Sequence, residues 1–342
     1  MKHRTRAWQA LLLPILCAVL WCLPAGRAQA AVNCTAQMTD VAFGTVELVD
    51  GSAASPTTAT LTYSCTNDVG SIARARVCFN IGDGNEGLGN FNPRIMKNAA
   101  GNILKFQLYQ STSGAIWGSN GNAAVPNPFT VDMVIPAAPF LGVGRVSGST
   151  TMRGELLALQ STVPPGSYQD VLSGGHTSIT LSWSTGAAPT NCNATLLSNR
   201  FEFDVRATVS KSCLVTADPL NFGTVQGLPG AANVDQSSTI RVTCTSPTPY
   251  TVALSPSNGS TAGAGVMTPT GGVPGNTDSV AYRLYRNAAL SSPWGSVTNS
   301  NTVAGTGNGL AQALTVYGRV LGTGLNVRPD SYRDVVTVTV SY

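Results

Sequence analysis

Short stretches in which apolar and polar residues alternate recur along the chain, the pattern of β-strands that bury one face. They span residues 59–64, 75–81, 103–109, 179–183, 239–243, 250–255 and 280–285. Gly, Pro, Asn and Ser residues cluster between them, as is typical of turns. Because no stretch repeats its apolar residues with a convincing helical period, the pattern predicts an all-β fold made of antiparallel β-sandwiches.

The last twelve residues, 331–342, form one of the clearest predicted strands. β-branched residues dominate there, and Val336, Val338, Val340 and Tyr342 fall on one face. A strand this apolar is normally followed by a partner strand that covers it, and no further strand follows in the sequence. We therefore expect the last domain to end one strand short.

The chain contains the same pattern twice. Cys34 and Cys65 are 31 residues apart, as are Cys213 and Cys244, and the tripeptide Phe-Gly-Thr occurs at the same offset in each interval. Further matches follow in the same order: 106–109 with 282–285, 117–119 with 294–296, and, without a gap, 154–171 with 318–335. A period this long indicates two homologous domains rather than a solenoid. We place them at residues 31–198 and 199–342.

Residues 1–30 have the composition of a signal peptide. A basic start, an apolar run over residues 10–23 and a small-x-small site at 28–30 predict cleavage before Ala31. The alternative is a retained membrane anchor, but the apolar run is short and Pro14 interrupts it. The segment holds 4 of the 20 Lys and Arg residues and no acid, so 16 basic and 16 acidic residues remain. A near-neutral mature chain gives no electrostatic reason to expect nucleic acid as a partner.

Six cysteines remain in the mature chain, and an even number in an exported protein predicts disulfides. The repeat implies one bridge per domain, Cys34–Cys65 and Cys213–Cys244, and elimination pairs Cys78 with Cys192. A closed loop of about 30 residues stabilises a domain by roughly 3–4 kcal/mol. Since the mature chain has no C-x-x-C motif and a single histidine, we expect no metal site.

The order Cys…Phe-Gly-Thr…Cys, then Leu-Tyr and Trp-Gly, then a Ser-Tyr-x-Asp-Val strand, resembles the spore coat protein U domain. The match is strongest over residues 213–342, and it is good in the first domain apart from its insertions. That family supplies the pilins of archaic, Csu-type chaperone–usher pili. The resemblance implies immunoglobulin-like domains, of which the C-terminal one is an incomplete pilin fold lacking its last strand. Val336, Val338, Val340 and Tyr342 would then line the groove that accepts a donated strand.

The resemblance also implies partners and a location. A periplasmic pilus chaperone would lend the missing strand first, an adjacent pilin subunit would replace it with its N-terminal strand, and an outer-membrane usher would take part in assembly. A two-domain member of this length resembles the tip adhesin subunit, exported to the periplasm and then to the cell surface of a Gram-negative bacterium. Only residues 31–33 precede Cys34 in the mature chain, which is too short for a donor arm.

Residues 201–209 form a further predicted strand whose place the sequence leaves open. Phe201, Phe203, Val205, Ala207 and Val209 fall on one face. The segment is either the first strand of the second domain or a strand that completes the first domain within the same chain.

The first domain carries 13 more residues than the second between the Trp-Gly match and the later glycine, and the surplus is apolar and rich in proline. Such loops present apolar side chains at low entropic cost, and exposed apolar surface usually marks an interaction site. The candidate surface-binding residues are Val125, Pro126, Phe129, Ile135, Pro136, Ala137, Ala138, Pro139, Phe140, Leu141, Val143, Ala187 and Ala188. Through them the tip would attach to abiotic or host surfaces and form biofilm. The alternative is that Val134, Ile135, Phe140 and Leu141 pack in the core.

No catalytic arrangement is apparent in the sequence, so we expect neither an enzyme nor a cofactor. Catalysis needs a base, a nucleophile and an orienting group, and the one histidine, His176, lies in a turn. Residues 82–87 lack the ligand spacing of a calcium loop. Two alternatives to the adhesin are a secreted spore-coat or matrix structural protein and a carbohydrate-binding, lectin-type tip that would use Trp117.

Overall fold

A computed structural model describes residues 32–52, 56–227 and 229–342 of the 342-residue chain. The described part is all-β: its helical elements are two single-turn 3-10 helices, η1 (Gly174–His176) and η2 (Gly322–Gly324). No helix in these ranges is long and apolar enough to cross a membrane. The predicted signal peptide lies outside the described residues. The predicted all-β fold is confirmed.

Twelve strands among the described residues build the first domain. They are β1 (Val32–Met38), β2 (Val41–Val46), β3 (Thr57–Asn67), β4 (Ala73–Ile81), β5 (Arg94–Lys97), β6 (Ile103–Gln110), β7 (Phe129–Ile135), β8 (Gly144–Leu156), β9 (Gly166–Leu172), β10 (Thr177–Ser184), β11 (Thr195–Leu196) and β12 (Phe203–Val209). One sheet has the order β1-β3-β8-β6-β5-β9-β12-β2 and the other β11-β10-β4-β7. Phe79, Phe106 and Trp117 are fully buried in the core between them.

Nine further strands in the described ranges build the second domain. They are β13 (Cys213–Ala217), β14 (Val234–Cys244), β15 (Pro249–Pro256), β16 (Ala264–Pro269), β17 (Val280–Tyr285), β18 (Val303–Thr306), β19 (Gln312–Val320), β20 (Tyr332–Arg333) and β21 (Val336–Ser341). Their sheets have the orders β13-β14-β19-β17-β16-β20 and β18-β15-β21, around a separate core that contains Trp294. The predicted pair of tandem immunoglobulin-like β-sandwiches is confirmed.

The repeat seen in the sequence is preserved in the strand registers. Leu61 lies opposite Thr150 in the first domain, and Ile240 lies opposite Leu314 in the second, which are the positions that the sequence match equates. Because the two domains correspond residue by residue, a difference between them at one position can be given a structural cause.

In the part of the chain that the structure describes, three disulfides join the pairs expected from the sequence: Cys34–Cys65, Cys213–Cys244 and Cys78–Cys192. The first two connect residues directly opposite each other, between β1 and β3 and between β13 and β14. The third attaches the segment after β10 to β4 across a sequence separation of 114. Closing a loop of that length stabilises a domain by roughly 4–5 kcal/mol in the chain-entropy model.

Residues 201–209, whose place the sequence leaves open, supply a strand of the first domain. β12 pairs antiparallel with β9 on one side and parallel with β2 on the other. Among the described residues it pairs with no strand of the second domain. The sheets of the two domains therefore separate between Val209 and Cys213, and the alternating face of β12 is buried in the first core.

Candidate functional site

The first domain contains a groove that the chain fills with its own strand. β9 and β2 form the walls, and β12 hydrogen-bonds to both. The inward-facing side chains Phe201, Phe203, Val205, Ala207 and Val209 are each at most 4% exposed. Fully burying a valine or phenylalanine contributes about 1.5–3 kcal/mol. β12 thus completes both the hydrogen bonding of the sheet and the apolar core.

The second domain has a corresponding groove. The sequence match equates residues 166–171 of β9 with residues 330–335 and β2 with residues 220–225. The wall equivalent to β9 contains β20, which pairs with β16 on the side away from the groove. In the described part of the chain, no strand lies between the two walls.

Burial differs between the two domains along these walls. Val41 is 0% exposed and Tyr168 is 1% exposed in the first domain. Their counterparts in the second domain, Leu220 and Tyr332, are only half-buried. The matched side chains are of the same kind, so the difference follows from β12, which pairs with both walls of the first groove. A strand edge beside a partly uncovered apolar strip is a template for another strand.

The wall at residues 220–225 has the backbone shape of its counterpart. Gly44 and Gly223 both have a φ of 69°, in the left-handed region that favours glycine. In the first domain this glycine lies at the register shift between β2 and β12. Asn221 Oδ1 accepts a hydrogen bond of 2.9 Å from the Gly223 N–H and so holds the turn. The two walls therefore share the left-handed backbone turn at this glycine.

The four residues predicted to line the groove lie at the C-terminus. Val336, Val338 and Val340 on β21 are partly buried against the second core, and Tyr342 is 58% exposed. β21 pairs with β15 and forms an edge of its sheet among the described strands. Val336 is the first residue of β21 and follows directly on the segment that the sequence match equates with β9. That the four residues line an acceptor groove stays a prediction.

Sequence reasoning does not identify three of the wall residues, Leu220, Val225 and Tyr332, which pack partly buried against the second core. The Phe-Gly-Thr repeat carries the signal for two of them. In the first domain this tripeptide lies on β2, next to β12, so its second copy marks the wall opposite residues 330–335.

The apolar loops of the first domain can be placed from the strand registers. Successive antiparallel pairs put the start of β8, Gly144, at one end of the first sheet and the end of β12, Val209, at the other. The chain passes from Val209 to the second domain. Residues 67–73, 135–144 and 184–190 adjoin the Gly144 end. We call this the distal end of the domain.

Most of the predicted surface-binding residues are exposed at the distal end. Phe140 is 100% exposed and Leu141 is 88% exposed. Pro136, Pro139, Val143, Ala187 and Ala188 are also exposed, and Ala137 and Ala138 are half-buried. The proline-rich loop after β7 and the loop after β10 thus contribute to one apolar surface.

The 125–129 segment does not belong to this surface. Phe129 pairs with Phe79, whereas Ile135 pairs with Ala73, six positions and about 20 Å further along the strand. Pro126 is exposed and Phe129 is half-buried there. Val125 is 3% exposed and Ile135 is 0% exposed, which corrects the expected surface, because both side chains are covered by the domain. The alternative of core packing holds for Ile135 but not for Phe140 or Leu141.

Two further residues widen the distal apolar surface. Ile72 is 52% exposed and Val134 is 53% exposed. Ile72 lies outside the insertion, so comparing the lengths of the two domains does not reveal it. The fully buried Asn67 connects the two loops, since its Nδ2 donates to the carbonyls of Ser71 (2.8 Å) and Pro136 (2.9 Å). The loops are thereby held at fixed positions relative to each other.

A buried polar cluster supports the β9 wall. Arg94, which is fully buried, donates to Gln107 Oε1 at 2.6 Å and to the Trp117 carbonyl at 2.7 Å. Asp170, also fully buried, accepts a hydrogen bond of 2.9 Å from the Glu86 N–H. Burial lowers the pKa of Arg94 to about 10 and raises the pKa of Asp170 to about 6. Being covered by the domain, these groups act in folding rather than in binding.

His176 is not the solvated turn residue that its surroundings in the sequence indicate. Its Nδ1 lies 2.8 Å from Asp83 Oδ1, and its side chain is 21% exposed. Among the described residues, no group of three or more His, Cys, Asp or Glu side chains is arranged to hold a metal ion.

Trp117 is a core residue and is not accessible to a sugar. It is 0% exposed, and its indole N–H donates to the Phe79 carbonyl at 2.8 Å. Trp294 makes the equivalent bond to the Val252 carbonyl at 3.0 Å. A carbohydrate-binding function would therefore need other residues.

Several solved structures resemble the fold. A chain of the CsuC–CsuE chaperone–tip adhesion subunit pre-assembly complex from the Csu pili of Acinetobacter baumannii is 16% identical, covers 91% of this chain and 100% of its own, and gives a TM-score of 0.48. The CupB6 tip adhesin from Pseudomonas aeruginosa is 10% identical, with coverages of 91% and 95% and a TM-score of 0.35. CfaE, the adhesive subunit of CFA/I fimbria of enterotoxigenic Escherichia coli, is 9% identical, with coverages of 78% and 81% and a TM-score of 0.25.

The sequence itself gives the family. No curated protein sequence matches the chain significantly. The model of the Spore Coat Protein U domain matches residues 22–174 and 199–339, two ranges that follow the two copies of the repeat and together span most of the chain. The protein thus belongs to the Spore Coat Protein U domain family.

Proposed function

We propose that this protein is the tip adhesin subunit of an archaic chaperone–usher pilus. One observation carries the proposal. β12 completes the first domain from within the chain, whereas no described strand fills the equivalent groove of the second domain. β1, the first described strand, pairs along its whole length with β3 of its own domain. The subunit thus accepts one strand and uses its own strands internally, as the distal subunit of a fibre does.

The second domain receives its missing strand from partners. Leu220, Val225 and Tyr332 present half-buried apolar surface along two walls that lack a strand between them in the described structure. A strand added there gains main-chain hydrogen bonds and side-chain burial, which is β-augmentation. The periplasmic chaperone provides it first, the adjacent pilin replaces it, and the outer-membrane usher exports the product to the cell surface.

The first domain provides the adhesive surface. Phe140 and Leu141 extend into solvent at the distal end, beside the exposed side chains of Ile72 and Val134. Large exposed apolar side chains in one region mark an interaction site. This surface suits attachment to hydrophobic abiotic or host surfaces, and hence biofilm formation.

A charge placed in the groove wall tests the proposal. Leu220→Lys puts an ammonium group where a donor strand must bury apolar side chains, which costs several kcal/mol. We expect the amount of chaperone that co-purifies from the periplasm to fall at least tenfold. Mass spectrometry of the Cys213–Cys244 disulfide shows whether the second domain still forms.

Leu214→Lys is the matched control, because Leu214 lies in the same domain and is 49% exposed. It should leave chaperone capture unchanged. Equal capture by the Leu220→Lys variant and the unaltered chain would contradict the proposal. Absence of any chaperone with the unaltered chain would instead favour the secreted structural protein.

A further inference from the structure

A cavity of ≈ 480 Å³ opens beside the Cys78–Cys192 disulfide of the first domain. It lies on the outer face of β4 and β7, where Arg76, Cys78 and Thr130 form part of its lining. Ligand-binding clefts commonly have volumes of about 300–1,000 Å³. Neither the strand groove nor the distal apolar surface includes this cavity.

Three features of the first domain meet at this cavity. Pro126, Asn127 and Pro128 come from the insertion after the Trp-Gly match. Thr190 and Asn193 come from the segment that follows β10. The third disulfide, which has no counterpart in the second domain, attaches that segment to β4. The cavity is therefore a specific addition to the shared fold.

Among the described residues, the lining is polar and carries no unpaired charge. Arg76 is the one ionisable residue of that part of the chain that lines it, disulfide-bonded Cys78 and Cys192 aside. Its guanidinium makes two hydrogen bonds of 2.8 Å to Asp132 and donates at 2.6 Å to the Thr190 carbonyl. The described lining thus offers an anionic ligand no free cation and offers an apolar ligand no large aliphatic or aromatic side chain.

Several neutral donors and acceptors remain available to a ligand. Within the described ranges, the side-chain amide of Asn127 and the hydroxyl of Thr190 make no hydrogen bond. Asn193 accepts through Oδ1 from Asn120 Nδ2 at 2.9 Å, which leaves its own Nδ2 free to donate. Pro126 provides a small apolar surface next to these groups.

We propose that this cavity binds a neutral oligosaccharide. Sugar hydroxyls both donate and accept, which matches a lining of amides and a hydroxyl, and the C–H faces of a sugar match proline rings. The site acts in addition to the distal apolar surface and gives the first domain a second, polar mode of recognition. It does not involve Trp117.

Saturation-transfer difference NMR on the full mature chain, purified from the periplasm, tests this site. The probes are lactose, N-acetyllactosamine, maltotriose, mannotriose and chitotriose, with sialyllactose as a charged comparison. We expect transfer to at least one neutral probe. The double variant Asn127→Ala, Thr190→Val should reduce that transfer at least fivefold, because it removes two ligand-facing groups that make no hydrogen bond within the protein.

Asn90→Ala is the matched control, because Asn90 is another exposed asparagine of the first domain, outside the cavity. It should leave transfer unchanged. The Phe140→Asp, Leu141→Asp variant should also retain transfer, which separates this site from the adhesive surface. Transfer to none of the neutral probes, transfer to sialyllactose alone, or equal transfer to the double variant would overturn the proposal.

Discussion

Two matched aspartates show how one position serves two environments. Asp170 on β9 is 0% exposed, its carboxylate lies against Gly84 and Glu86, and its Oδ2 has no hydrogen-bond partner in the described residues. Asp334 is half-buried, and its Oδ2 accepts a hydrogen bond of 2.5 Å from the Tyr282 hydroxyl. Burial, together with Asp334, raises the pKa of Tyr282. The same position thus meets the 84–86 segment in the first domain and the side chains of Ser257 and Tyr282 in the second.

Asp170→Asn should reduce the pH dependence of first-domain stability. Burial raises the pKa of Asp170 from 3.8 to about 6, so the native state holds the proton more tightly than the unfolded state does. Its contribution to stability is full below about pH 4 and is lost as the pH rises through about 6, on the order of 2–3 kcal/mol. Asparagine does not titrate. We expect the free energy of unfolding, from urea denaturation, to fall less between pH 4 and pH 7.

The quantity to compare is the slope of the free energy of unfolding against pH, because removing the carboxylate also changes the surroundings of the buried Arg94 and so the absolute stability. Asp68→Asn, at an exposed position of the same domain, is the control and should keep the original slope. An unchanged slope in Asp170→Asn would show that this carboxyl does not titrate as its burial indicates.

At the scale of elements, alternation of apolar and polar residues predicts the strands that bury one face. Whether any other segment forms a strand depends on which strand it pairs with in the folded domain. The predicted strand 280–285 coincides with β17. The Phe-Gly-Thr tripeptide, by contrast, forms part of β2 in the first domain and of no strand in the second. Identical residues differ because β12 pairs with the first copy. The local sequence pattern does not show which copy of the tripeptide will pair with β12.

Loop placement has the same limit. The insertion is recognisable from its length, but the register of β7 on β4 decides which of its residues reach the distal end. Phe140 and Leu141 do, whereas Val125 lies on the other side of β7 in sequence and is buried. The candidate site was thus predictable as a region, and its exposed members follow only from the strand pairing.

Phe140→Asp combined with Leu141→Asp should abolish most attachment to hydrophobic surfaces. The two side chains are the most exposed large apolar groups of the distal loops, and charged replacements retain their hydration. We expect cells carrying the variant to attach to polystyrene at least tenfold less, with export and chaperone capture unchanged.

Leu88→Asp with Leu159→Asp is the control, since both residues are exposed apolar residues of the first domain outside the distal loops. Attachment should survive in that variant. Loss of the chaperone complex in the Phe140→Asp, Leu141→Asp variant would indicate a role in folding and argue against an adhesive surface.

At the scale of the whole molecule, one fold occurs twice, once with β12 between its two walls and once with no described strand there. The first domain is closed by β12, which leads directly into the second domain. The second domain keeps matching walls with half-buried apolar residues. Under the proposed function, this division lets a single chain fold its distal part alone and depend on partners for assembly.

Amide hydrogen exchange on the full mature chain, alone at low concentration and bound to its chaperone, tests this division most directly. We predict that β2 and β9 are protected in both states, because β12 covers them. Residues 220–225 and 330–335 should exchange rapidly in the free chain and become protected in the complex. Equal protection of those two segments in both states, or protection of β2 and β9 that depends on the partner, would contradict the account.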